Sequence, residues 1–144
     1  MCLNKISLLL GLIILNITTV FADQCDNLIG TVWASSSPIE LEKYQDSNAP
    51  KKSINIIFSV VSRRNSGTYV ASINSQLADA WCSFINGAYH VTVRSTTTFS
   101  GTYNEIDATS DSANKPTQFT SSEILWSFDD NQYITYDRNS FQLP

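Results

Sequence analysis

The chain holds a single histidine, His90, set in the alternating segment Tyr89-His90-Val91-Thr92-Val93. No Cys/His cluster surrounds it, so the residues offer no zinc site. No nucleophile elbow or glycine-rich loop lies beside it either, so a Ser-His-Asp hydrolase has nothing to assemble on, and the chain reads as a non-enzyme with no cofactor. Basic residues are scarce: Lys51-Lys52 and Arg63-Arg64 are the paired cations, and both read as solvated loop charges. Nucleic-acid binding needs a basic stripe along a phosphate backbone, and that class is excluded. Asp129-Asp130, and Asp107 with Asp111, read as turn and loop acids rather than as a cation site or a catalytic carboxylate pair. Helix signals are nearly absent.

The longest apolar run, Ile6 to Leu15, is short of the roughly 20 residues that a membrane span requires. Lys5 precedes it, and Val20-Phe21-Ala22 places small residues where signal peptidase accepts them. The expected organisation is therefore a signal peptide over 1–22 and one domain over 23–144, secreted or periplasmic, with no membrane association after cleavage. Cleavage removes Lys5 and leaves eight Lys and Arg against thirteen Asp and Glu, a net charge of −5. It also removes Cys2, so that Cys25 and Cys82 remain, an even pair in an exported protein that reads as a disulfide. Such a bridge would stabilise by about 4 kcal/mol in the chain-entropy picture. Two free buried thiols are the alternative.

What the domain does have is a succession of β-rich segments broken by turn signals. Leu28 to Ser35 reads as a first strand, followed by a loop with Pro38, Asn48 and Pro50 in which Ile39 to Tyr44 could form a helical turn. Ile54 to Ser62 and Thr68 to Asn74 read as a hairpin around Arg63 to Gly67, and Leu77 to Ile85 with Ala88 to Ser95 as another around Asn86-Gly87. Thr97 to Ala108 and Gln118 to Phe128 flank a polar loop, and Asp129-Asp130-Asn131 turns the chain into a last strand over Gln132 to Leu143.

About eight strands joined by local turns is the pattern of an antiparallel up-and-down barrel, wide enough for one small ligand. Closure removes the exposed edges that invite aggregation. An immunoglobulin-like sandwich is the runner-up, but it requires long crossovers and a disulfide between two buried strands, whereas Cys25 precedes the first strand. The segment Ser95 to Tyr103, Ser-Thr-Thr-Thr-Phe-Ser-Gly-Thr-Tyr, points to the interior. Residues two apart share a face, so Ser95, Thr97 and Phe99 set two hydroxyls beside an aromatic wall, as in the lining of a polar ligand pocket. An outward strand rich in threonine for its β-propensity is the alternative.

In order along the domain, these segments resemble the avidins and streptavidins, exported eight-stranded biotin-binding barrels. Leu28-Ile29-Gly30-Thr31-Val32-Trp33 is similar to the family's opening Leu-x-Gly-x-Trp, with one extra residue before the Trp. The hairpin Ile54 to Tyr69 resembles its second and third strands, and Thr96 to Tyr103 its Thr-Thr-x-aromatic-Ser/Thr-Gly-x sixth strand. Glu123-Ile124-Leu125-Trp126 resembles the seventh strand, and Arg138-Asn139-Ser140-Phe141 the Asn/Asp-x-Phe of the eighth.

The resemblance implies a site. Tyr69 and Ser35 would donate to the ureido oxygen of biotin, Ser95, Thr97 and Asn139 would meet its ureido and thioether groups, and Phe99, Trp126 and Trp33 would enclose its rings. The implied partner is a small molecule, biotin in the first instance, and a homo-oligomer stays open. Departures imply weakened affinity: Ser35 stands where the family has Asn, Ala71 replaces a hydroxyl, Thr92 and its neighbours stand where the fifth strand brings a Trp, and Asn131 falls near the lid Trp. The segment between Tyr69 and Phe99 is also shorter than the family's. A secreted interaction or inhibitor module on a lipocalin-like barrel is the other functional class, in which the loops bind a protein and the interior is filled.

Overall fold

The computed structural model describes residues 24–96, 103–112 and 114–144. The expected signal peptide and the expected contributions of Thr97 and Phe99 lie outside the described residues. A short 3₁₀ turn, Gln24–Leu28, is followed by eleven strand segments: β1 (Val32–Ser35), β2 (Ile39–Lys43), β3 (Lys52–Ile54), β4 (Ile57–Arg63), β5 (Tyr69–Ile73), β6 (Gln76–Ile85), β7 (Ala88–Thr96), β8 (Tyr103–Ser110), β9 (Gln118–Phe128), β10 (Asn131–Thr135) and β11 (Ser140–Gln142).

Eleven segments make eight long strands, because three of those strands are bent. The β1–β11 and β2–β10 pairs share one register, Ala34 opposite Gln142 and Tyr133 opposite Lys43, so β1 and β2 are the halves of one strand and β10 and β11 the halves of another. The third bent strand is β3 with β4, which follows β1 and β2 through Trp33↔Phe58 and Ile39↔Ile54. Between those pairs the Ser35 N–H donates to the Ile56 carbonyl at 2.9 Å, and the Ser35 hydroxyl accepts the Ile56 N–H at 3.0 Å. Each strand is antiparallel to its neighbours, and β9 pairs with β10 and β11 as β1 does with β4 and β11, so the sheet closes into an eight-stranded antiparallel barrel.

The turns explain the simple order. Asn74-Ser75, Asn86-Gly87 and Asp129-Asp130 each place two consecutive residues at positive φ, the backbone that a two-residue hairpin loop needs to match the strand twist. The Arg63–Gly67 tip closes with Gly67 at φ 93°, after Gly67 N–H bonds to the Arg64 carbonyl. We call the end where β1 begins the proximal end and the opposite one the distal end.

Two expectations are corrected. Ile39 to Tyr44 is a strand, not a helical turn: Ile39 and Leu41 are fully buried while Glu40 and Glu42 face solvent, a period of two that a helix cannot satisfy. The first strand begins at Val32 rather than Leu28, because Gln24–Leu28 folds back as the 3₁₀ turn and buries Cys25 and Leu28. That turn is tied to β6 by the Cys25–Cys82 disulfide, whose Cα atoms lie 6.2 Å apart. The expected reach of Cys25 to the fourth long strand is therefore met.

Candidate functional site

The inner wall has two different halves. Toward the proximal end it is filled by aromatics: Trp33 meets Phe119 edge-on at 4.7 Å, Phe119 meets Phe58 at 5.8 Å, and Phe58 meets Phe141 at 5.3 Å. All four side chains are fully buried. The indole N–H of Trp33 is satisfied by the Thr31 hydroxyl at 2.9 Å, so this ring is part of the packed core.

Toward the distal end the wall changes character. Ala71 opposes Ala78 across β5 and β6, Ser95 opposes Asn104 across β7 and β8, and Trp126 opposes Tyr133 across β9 and β10. The β8–β9 register, with Glu105 opposite Leu125, continues the row from Asn104 to Trp126. One inner row thus presents two small side chains, two polar ones and two aromatics, all buried. Asn104 is fixed by its Oδ1, which accepts the Ser127 N–H at 2.9 Å. The Ser95 hydroxyl donates to Gln76 Oε1 over a long 3.5 Å. A buried polar side chain held by one long bond can exchange that partner for a ligand at small cost.

The expected site residues fall in different places. Ser95 and Trp126 share the distal row. Tyr69 begins β5 at the proximal end, where its hydroxyl donates to Asp26 Oδ1 of the 3₁₀ turn at 2.8 Å. Ser35 holds the Ile56 N–H at the bend of the first strand. Asn139 sits at the bend between β10 and β11, where its side-chain amide donates to the Asp137 carbonyl at 2.9 Å and its N–H to the Ser121 hydroxyl at 3.1 Å. Sequence reasoning passed over Asn104 and Tyr133. Period-two counting back from Ile106 would have turned Asn104 inward with Ser95, and that signal was available.

Charge gathers on the outer face of β7, β8 and β9. The Arg94 guanidinium bonds Glu105 Oε1 through Nε at 3.0 Å and Nη2 at 2.6 Å, and lies over the rings of Trp81 and Tyr103 at 5.2 and 5.5 Å. Bonding to Glu105, above all, raises the Arg94 pKa. Among the described residues, Glu105, Asp107 and Glu123 form the group of acids close enough to share a cation, with ligand atoms within 4.8 Å of one another. Arg94 and the Thr92 hydroxyl, which donates to Asp107 Oδ1 at 2.6 Å, already partner two of the three. Burial, then the charges of Asp107 and Glu105, push the Glu123 carboxyl above its ordinary value.

In comparisons with known proteins, no family model matches the chain, and neither a curated protein nor a solved structure matches it.

Proposed function

We propose that this is an exported, non-catalytic barrel that binds a small ring-containing ligand at its distal inner row. The observation that carries the reading is that row itself. Trp126 and Tyr133 supply apolar ring faces, Ser95 and Asn104 supply the hydrogen-bonding groups that fix orientation, and Ala71 and Ala78 are the small side chains of the same row. Ligand sites are mostly apolar cavities with a few placed polar groups, and this row has that composition. The Cys25–Cys82 disulfide favours export, because such bridges persist in oxidising compartments.

Biotin is the specific form of the proposal, supported by the resemblance to avidins and by Ser95 and Trp126 on one row. The engagement of Tyr69, Ser35 and Asn139 with partners inside the protein reduces the contacts left for its ureido group, so the expected affinity is weak. Isothermal titration with biotin and with imidazolidinone, run on the wild type, Ser95→Val and Trp126→Ala, decides the question. Heat that disappears in Trp126→Ala and falls about tenfold in affinity in Ser95→Val supports the interior site. Binding that neither substitution alters, or no heat with either ligand at millimolar concentration, rejects a cyclic urea in this row.

A further inference from the structure

The outer wall carries a second, independent arrangement. Trp81 opposes Thr92, Thr92 opposes Asp107, and Asp107 opposes Glu123, a row of neighbours across four strands. The next row toward the proximal end is Ser83, His90 and Thr109, with His90 Nδ1 and the Thr109 hydroxyl 3.2 Å apart. Between the rows lies an open groove with a cavity of about 330 Å³, bounded by Trp81, His90, Thr92, Asp107, Thr109 and Ser122. A β-bulge lies at its edge. Glu123 pairs with Asp107 and Ser121 with Ala108, so Ser122 is the extra residue on β9. Bulges bend a strand locally and re-aim a side chain, and they recur beside binding sites.

Trp81 is the exposed tryptophan of the three, at 43% of its full surface, whereas Trp33 and Trp126 are buried. Leaving an indole in water forgoes the gain from burying its apolar area. The side toward the Arg94 row is already occupied by that guanidinium, which Glu105 holds in place. The groove lies on the side toward His90. There an apolar plate stands beside three hydroxyls, an imidazole and a carboxylate, a wall that both donates and accepts hydrogen bonds.

We propose that this groove binds a neutral hexopyranose, its C–H face against the Trp81 indole and its hydroxyls bonded to Asp107, Thr92, Thr109 and Ser122. A pyranose is the small solute that presents an apolar ring face and a rim of hydroxyls together, and the volume is at the lower end of the roughly 300–1,000 Å³ of small-molecule sites, fit for a single ring. Anionic ligands are disfavoured, because Glu105, Asp107 and Glu123 together carry more negative charge than Arg94 balances. Asp107 uses Oδ1 for Thr92, and a carboxylate of about four acceptor sites retains capacity for sugar hydroxyls.

The test combines titration calorimetry with iodide quenching of tryptophan fluorescence, a readout that reports the exposed Trp81. The probes are methyl glucoside, methyl galactoside, N-acetylglucosamine, glucuronic acid and tetramethylammonium. At least one neutral pyranose should bind with a millimolar Kd and shield Trp81 from iodide. Trp81→Ala should abolish that binding, Trp81→Phe should retain part of it, and Asp107→Asn should weaken it about tenfold, the scale of one hydrogen bond to a charged group. Trp81 is exposed and Asp107→Asn keeps the size of its side chain, so these variants should keep the fold, which circular dichroism checks. The inference fails if no neutral pyranose binds, if binding survives Trp81→Ala, or if glucuronic acid or tetramethylammonium binds in place of the neutral sugars. Trp81 is exposed on the outer wall and Trp126 is buried on the inner one, so sugar binding read through Trp81→Ala stands apart from cyclic-urea binding at the distal inner row.

Discussion

Phe119 is the residue on which the proximal core turns, because its ring is completely buried and touches both Trp33 and Phe58 edge-on. Truncation to alanine removes apolar area and leaves a cavity that the neighbouring strands cannot close, so Phe119→Ala should lower stability by about 3–5 kcal/mol in urea denaturation. A loss under about 1 kcal/mol would mean that the aromatic cluster is not the core described here. Glu123 makes the opposite case, a residue that costs stability where it is ionised. Its carboxyl lies above its ordinary 4.5 because burial, and then Asp107 and Glu105, oppose the charge. Between the ordinary and the raised value the folded chain binds more protons than the unfolded one, so this group's contribution falls as pH rises through that window. Glu123→Gln should therefore melt higher than the wild type at pH 7 and show little advantage at pH 4. An advantage that is the same at both values would disprove the electrostatic cause. Asp111 does not confuse the comparison in sign: bonding by Thr117 lowers its pKa from 3.8, so its contribution is lost only as pH falls below that value.

The hairpin turns set the order of the strands, and they differ in how well their residues suit the backbone. Gly87 sits at φ 78° and tolerates it without strain, whereas Asp130 holds φ 64° with a side chain. Gly87→Ala should therefore destabilise by about 1 kcal/mol or more, and Asp130→Gly should stabilise by a few tenths to about 1 kcal/mol. Thermal unfolding of the two single variants should move in opposite directions, and movement in the same direction would refute this account of the turns. These turns were the most legible part of the sequence: Asn86-Gly87 and Asp129-Asp130 stand where expected, and β9 occupies Gln118–Phe128 as read. The bends were legible only in part. The break after Ser35 stands where the first strand was expected to end, but nothing local shows that the chain resumes the same long strand at Ile39 or that the last strand breaks after Thr135, because both answer to pairing partners distant in the chain. Glu40-Leu41-Glu42-Lys43 suits a helix by propensity, and the pattern of burial overrode it. The site was legible only in part for the same reason. Alternation turns Ser95 and Trp126 inward, but it cannot show that a 3₁₀ turn folds over the proximal end and engages the Tyr69 hydroxyl. Nor did Trp81 stand out, since an aromatic on the outward phase of a strand is ordinary until the neighbouring rows are known.

At the scale of the whole molecule, the barrel is closed, and the 3₁₀ turn Gln24–Leu28 lies over the β4–β7 side of its proximal end. Cys25 is bound to Cys82, Asp26 accepts the Tyr69 hydroxyl at 2.8 Å, and the Asn27 amide donates to the Tyr89 hydroxyl at 3.2 Å. The disulfide joins residues 57 apart, so in the chain-entropy picture its removal frees a long loop in the unfolded state and costs about 4 kcal/mol. The double variant Cys25→Ala with Cys82→Ala should lose about that much in denaturant, a large share of a single domain's stability. A local consequence separates this from a general weakening. Once the turn is released, hydrogen exchange should accelerate most at the amides of Tyr69 and Tyr89 and at those around Cys82. The amides of Ala71, Ser95 and Trp126 on the distal row should change only by the loss in global stability. Uniform acceleration across both ends, or a stability change under about 1 kcal/mol, would show that the turn does not act as a cover on that side of the proximal end. If the cover does act so, the distal row keeps its geometry, and ligand binding there should survive reduction of the disulfide at temperatures where the reduced barrel remains folded.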